Sequence, residues 1–98
     1  MMIPFDEVKL ADFCRKNHIR KLSLFGSVLR DDFTPESDVD VLVEFAPGTT
    51  LGFGILDMEE ELSLLFAGRK VDLVNSRYLN SRLRPVILRE ARVQYAEG

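Results

Sequence analysis

Asp38 and Asp40 stand two residues apart in Ser37-Asp38-Val39-Asp40-Val41-Leu42-Val43-Glu44-Phe45, a run that alternates with period two. On an extended strand, residues i and i+2 project from one face, about 7 Å apart along the backbone. Two such carboxylates can converge on hard cations. The same pattern also describes the solvent face of a half-covered sheet. What separates the two readings lies elsewhere in the chain. Gly26-Ser27 follows the apolar run Leu22, Leu24, Phe25, where a strand turns toward a short helical segment. A glycine there lets backbone approach a phosphate, the following N–H groups can meet anionic oxygens, and the serine hydroxyl adds a donor. A third carboxylate, Asp72, sits in Val71-Asp72-Leu73-Val74, another strand-like run. Three strands that each bring one part to a common point make a site for phosphate and divalent cations.

The elements needed to position these residues are visible in the pattern. Asp6 ahead of Val8, Leu10, Ala11, Phe13 and Cys14 predicts a capped helix ending near Asn17-His18. Leu22 to Phe25 predicts a strand, Asp38 to Phe45 a second, ended by Pro47-Gly48, and Lys70 to Asn75 a third. Ile55, Met58, Leu62, Leu65 and Phe66 recur at helical spacing up to Gly68. A last helix is expected within residues 77–92, with Pro85 in a first turn or at a break. Helices alternating with strands imply an α/β fold. The expectation is one domain over residues 1–98, a small mixed three- to four-stranded sheet with helices on one face and the carboxylates exposed on the other.

Composition narrows the function classes. The 98 residues are 46% hydrophobic, enough for a single core and too few for a second domain. No apolar run approaches the roughly 20 residues of a membrane helix, and the N-terminus lacks the build of a secretory signal, so a cytoplasmic protein is expected. Cys14 is the only cysteine and His18 the only histidine. That rules out an internal disulfide, a Cys-based zinc site and a triad built on another imidazole. Cys14 reads as a buried apolar residue and His18 as structural. Glu59, Glu60 and Glu61 read as solvated acids near a helix start.

The net charge of −3 is unevenly laid out. Residues 31–44 hold six acids (Asp31, Asp32, Glu36, Asp38, Asp40, Glu44) and no basic residue, which favours bound cations. Residues 69–92 hold seven basic residues against Asp72 and Glu90, a net +5. Such a stretch suits phosphates or an acidic partner surface, or is simply a solvated face. Arg82, Arg84, Arg89 and Arg92 are its candidates for docking a protein partner.

Leu24-Phe25-Gly26-Ser27-Val28-Leu29-Arg30 followed by Ser37 to Phe45 resembles the signature of the nucleotidyltransferase superfamily typified by DNA polymerase beta and kanamycin nucleotidyltransferase. Within it the chain is most similar to the minimal nucleotidyltransferases, the antitoxin half of bacterial and archaeal HEPN/MNT toxin–antitoxin pairs. The likeness includes the Pro47-Gly48 turn, Gly68-Arg69-Lys70-Val71-Asp72 and the closing Leu88 to Ala96. It implies that Asp38, Asp40 and Asp72 are the catalytic carboxylates and hold two Mg2+ ions, and that Gly26 and Ser27 hold the triphosphate of ATP. Arg30 either contacts a phosphate or pairs with Asp31, Asp32 or Asp38. Asp31-Asp32 departs from the many relatives that carry glycine after the arginine, which leaves the path of that loop open. The implied activity is transfer of AMP from ATP to a hydroxyl of a HEPN toxin, that of a tyrosine. No membrane and no direct nucleic-acid contact are expected, and a homo- or hetero-oligomer is compatible with the small domain. The competing readings are an antitoxin that acts by binding alone, and a transferase for a small molecule or RNA whose acceptor site comes from a partner.

Overall fold

The structure is a computed structural model that describes residues 5–29, 34, 36–49 and 54–97. Arg30, Asp31 and Asp32 lie outside the described residues. The first helix, α1 (Glu7–Lys16), starts at Asp6, whose carboxylate accepts from the backbone N–H groups of Val8 and Lys9. That satisfies two of the donors a helix start leaves without partners. It stops at Asn17, and His18 takes a positive φ of 59° to turn the chain back into β1 (Ile19–Phe25). A 3₁₀ turn, Gly26–Leu29, follows β1. Next come β2 (Val39–Phe45), α2 (Gly54–Leu65) and β3 (Val71–Asn75). After a 3₁₀ turn at Ser76–Tyr78, the chain ends in α3 (Arg84–Glu90) and β4 (Arg92–Ala96).

The four strands form one mixed sheet in the order β3-β2-β1-β4. β2 is antiparallel to β1 and parallel to β3, and β4 is antiparallel to β1. A parallel pair needs a crossover, and α2 provides it between β2 and β3. Strict alternation on β2 divides the molecule. Val39, Val41 and Val43 are fully buried with Leu22 and Leu24 of β1, beneath Leu10, Phe13 and Cys14 of α1 and Met58 and Leu62 of α2. Phe66, just past α2, closes the core and meets Phe5 edge to face at 5.5 Å between ring centres. Asp40, Leu42 and Glu44 point to the other face.

The expectation of helices on one face holds for the two long helices. The short α3 approaches the opposite face, where Leu88 and Ala91 border a small cavity with Ser23, Leu42 and Val93. Pro85 lies in the first turn of α3, where its missing N–H costs nothing. Two features exceed the sequence expectations. β1 begins three residues earlier than Leu22, because a bulge between Ile19 and Lys21 lets Ile19 face the core out of phase with Leu22 and Leu24. β4 (Arg92–Ala96) is a strand that the residue pattern alone does not indicate. Its side chains are mostly exposed, and its pairing with β1 carries a register shift between Leu22 and Ser23. Glu59 is also more than a solvated acid. Its Oε2 accepts the Leu73 N–H at 2.8 Å, satisfying a donor on the edge strand β3 that no further strand covers. Glu61 pairs with Lys16 Nζ at 2.6 Å and links the two long helices.

Cys14 is buried as expected, and burial pushes its thiol up from 9.0 to about 12, against a smaller lowering by Arg15. The native protein should therefore leave Cys14 unmodified by a thiol reagent at pH 8 on the timescale in which the urea-unfolded chain reacts with one equivalent. The folded value is raised, so the unfolded chain ionises first. The stability this thiol contributes is whole below pH 9 and is lost as pH rises from 9 toward 12. Denaturation curves of the parent and of Cys14→Ala should show the parent losing its advantage over that interval.

Candidate functional site

The end of the sheet where β1 finishes and β2 and β3 begin gathers the residues singled out by the sequence. Strand register does this. Phe25, the last residue of β1, pairs with Asp40, and Asp40 pairs in parallel with Asp72. Parallel neighbours in register present their side chains to the same face, with backbones about 4.8 Å apart. Asp40 and Asp72 are therefore side by side on the face away from α1 and α2. Asp38 precedes β2 directly, and the backbone there is fixed from two sides. The Val39 N–H donates to the Lys70 carbonyl at 2.8 Å, and Ser27 Oγ donates to the Asp38 carbonyl at 3.3 Å.

Gly26 follows Phe25 with φ of 75°, a conformation that side chains disfavour. A Cβ built on it would overlap the Asp40 carboxylate, with Asp40 Oδ2 well inside contact distance and Cγ at 3.2 Å. The sequence explains this glycine by the approach of a phosphate. The geometry adds a nearer cause, since the Asp40 side chain occupies the space a Cβ would need. The Ser27 hydroxyl, expected as a phosphate donor, ties the 3₁₀ turn to the start of β2. Gly26, Ser27, Asp38, Asp40 and Asp72 are thus brought to one end of the sheet. Arg30, the remaining candidate, lies outside the described residues.

Basic groups border the carboxylates. Lys70 Nζ is 3.9 Å from Asp38 Oδ2, a pair exposed on both sides and worth little to stability. Arg69 Nη1 donates to the Thr34 carbonyl at 2.8 Å, and Arg84 Nη2 to the Ser76 carbonyl at 2.6 Å. Arg89 and Arg92 line a cleft with Gly26 and Leu29. Much of the basic stretch therefore surrounds the carboxylates or braces the backbone, an arrangement that the charge count along the chain could not reveal.

The donors are of the kind a hard divalent cation takes, carboxylate oxygens on adjacent strands. Among the described residues, however, no three acid, histidine or cysteine side chains are drawn together closely enough to form a ready metal cage. Like charges held on neighbouring strands repel, so carboxylates turn apart until a cation offsets the repulsion. Asp38 is directed at Lys70. The donor types suit a cation, and holding one would call for side-chain reorientation rather than a change of strand register.

A larger cleft, of 810 Å³, is at the opposite end of β2 and β3, lined by residues that include Phe45, Pro47, Leu73, Asn75 and Tyr78. Its described lining contains no carboxylate. Size favours that cleft, but the donors that suit metal and phosphate are at the Gly26 end, which makes that end the candidate site.

Gly26→Ala should lower stability by about 1–3 kcal/mol through the positive φ and the encounter with Asp40. Adding Asp40→Ala should recover part of that loss, since it removes the encounter and leaves the backbone strain. Urea denaturation of the single and double variants measures both. Full additivity of the two substitutions would mean that the two side chains do not compete for one space.

With the geometry established, comparison with known proteins gives the lineage. The nucleotidyltransferase domain family matches residues 8–94. Protein adenylyltransferase MntA of Thermococcus cleftensis is 38% identical over 72 residues, covering 74% of this chain and 71% of that protein. A relative from Methanocaldococcus jannaschii is 31% identical over 83 residues, covering 85% and 87%. A solved structure provisionally described as a minimal nucleotidyltransferase superposes with a TM-score of 0.72 at 37% identity, over 88% of this chain and 85% of its own. A toxin–antitoxin crystal structure with AMP-PNP superposes with a TM-score of 0.74, over 93% and 73%. At 23% identity that last likeness speaks for the fold alone. Taken with the Gly26-Ser27 turn and the carboxylates of β2 and β3, the match over residues 8–94 identifies this chain as a member of the nucleotidyltransferase domain family.

Proposed function

We propose that this protein is an adenylyltransferase that transfers AMP from ATP to a tyrosine hydroxyl of a HEPN toxin and so acts as its antitoxin. The observation that carries the reading is the in-register pairing of Asp40 with Asp72 beside a glycine that turns directly against Asp40. Relatives named for protein adenylylation support the reaction class, and MntA–HepT structures of the same fold support the kind of partner. Asp38, Asp40 and Asp72 would hold two Mg2+ ions, which when bound supply the charge neutralisation that phosphoryl oxygens need.

The chain's own residues have distinct tasks in this scheme. Gly26 and Ser27 bring backbone N–H groups to the triphosphate, and the Ser27 hydroxyl adds a donor by turning from the Asp38 carbonyl. The acceptor oxygen attacks the α-phosphorus of ATP and forms the new P–O bond, while the bond from that phosphorus to the bridging oxygen of the β-phosphate breaks. AMP remains on the acceptor and pyrophosphate leaves. The hydroxyl proton goes to a base, and Asp72 is the candidate, exposed on β3 beside Asp40. Catalysis here is chiefly positioning and electrostatics, so a compact site can accomplish it.

The test uses labelled ATP, Mg2+ and the purified partner toxin. Asp38→Asn with Asp40→Asn should reduce labelling by at least about a hundredfold. The fold should persist, and the melting temperature without Mg2+ should hold or rise, because repulsion between carboxylates is relieved. Mass spectrometry of the toxin should place the adduct on tyrosine. Undiminished labelling by the double variant removes the carboxylates from the reaction. A stable complex that never carries an adduct, even with the parent chain, favours an antitoxin that works by binding alone.

A further inference from the structure

Two of the arginines assigned by charge pattern to a partner surface stand instead beside the glycine of the transfer site. Arg89 lies in the last turn of α3 and Arg92 opens β4. Together with Gly26, Leu29 and Glu90 they line a cleft of 250 Å³. The placement is dictated by the sheet. Arg92 pairs with Leu24 of β1, two residues before Gly26, and the Ala91 N–H donates to the Ile87 carbonyl at 2.9 Å, fixing the junction of α3 and β4. β4 is thus the element that brings the C-terminal arginines to the end of β1.

We infer that Arg89 and Arg92 form a polyphosphate subsite that grips the β- and γ-phosphates of the nucleotide and then the departing pyrophosphate. The inference rests on the nucleotide-transfer reading above and assigns to it residues of the C-terminal segment. Four considerations carry it. Asp38, Asp40 and Asp72 bring no positive charge of their own, so side-chain cations near Gly26 suit the part of the nucleotide that extends beyond the carboxylates. Of the other basic residues of the segment, Arg69 and Arg84 are committed to the backbone of Thr34 and Ser76, and Lys70 stands beside Asp38. Arginine also presents paired N–H donors in a planar fork that matches phosphate oxygens. The cleft is below the roughly 300–1,000 Å³ typical of a site for a whole drug-sized ligand, and so suits a diphosphate group better than a base and sugar. Glu90 borders the same cleft and is already engaged within the chain. It leaves the two cations in excess of the one acid there.

The experiment measures binding of inorganic pyrophosphate and ATP, each with Mg2+, by isothermal titration calorimetry, and complex formation with the partner toxin in parallel. Arg89→Ala and Arg92→Ala should each weaken ATP and pyrophosphate by about tenfold or more, while AMP affinity changes little. Arg89→Lys and Arg92→Lys should recover only part, because lysine keeps charge without the fork. Arg77→Ala, in the same basic segment but outside the cleft, should keep the parent's ATP and pyrophosphate affinities, and circular dichroism establishes that each variant is folded. Parent-like ATP and pyrophosphate affinities in the folded alanine variants would overturn the subsite. So would loss of the toxin complex with nucleotide affinity intact, which would return these arginines to the partner surface. If the parent transfers no AMP yet binds pyrophosphate through both arginines, the subsite stands and the transfer reading falls.

Discussion

The alternation of β2 is the constraint on which the rest of this molecule depends. Val39, Val41 and Val43 have no exposed surface; Val41 and Val43 are held by strands on both sides, Val39 by β3, and all three join the core with residues of the helices. Burying one such side chain contributes about 1.5–3 kcal/mol, so slipping the strand by one residue would exchange three valines for Asp40, Leu42 and Glu44 in the core. No alternative register competes. The hydrophobic effect, which is indifferent to phosphates, thereby fixes where Asp40 is and which way it faces. The candidate carboxylates are carried on the reverse of the core.

The neighbouring strands convert that position into a site. β1 ends against Asp40 and must turn at once, and the turn is tight enough that only a residue without a Cβ fits beside the carboxylate. β3 lies parallel to β2 because α2 carries the chain back across the core face, so Asp72 arrives beside Asp40 rather than at the far end. An antiparallel β3 would have reversed that order. The price of such a layout is electrostatic, since carboxylates are collected on one patch. Lys70 beside Asp38 offsets a part of it, and Arg89 and Arg92 line a cleft with Gly26 at the same end of the sheet.

Edges are managed by side chains. Sheet edges leave N–H groups open, and on β3 the Glu59 carboxylate from α2 takes the Leu73 N–H. This contact holds the crossover helix to the strand that carries Asp72, so it steadies the site from behind while closing an edge. At the other edge β4 contributes little to the core beyond Tyr95, which packs against it half-buried. Its consequence is positional, because β4 begins opposite Leu24 and so holds the end of α3 beside Gly26 before the chain runs back along β1.

What the sequence determined by itself was everything encoded locally or by period. The Asp6 cap, the helix ending near Asn17-His18, the valine face of β2, the helix of Ile55, Met58 and Leu62 and the exclusion of Pro85 from a helix interior follow from spacing and side-chain type, which act within a few residues. The candidate carboxylates and the Gly26-Ser27 turn were legible for the same reason, and the family match over residues 8–94 agrees with the resemblance they carry. Tertiary structure decided what depends on distant partners. The bulge at Ile19 breaks period two, and β4 has too few buried side chains to signal a strand until β1 is there to pair with it. The Asp40 side chain against Gly26, Glu59 on the β3 edge, and Arg89 and Arg92 beside the end of β1 are contacts between residues 14 or more positions apart. No pattern along the chain specifies them, because they are set by how strands register once the core has closed.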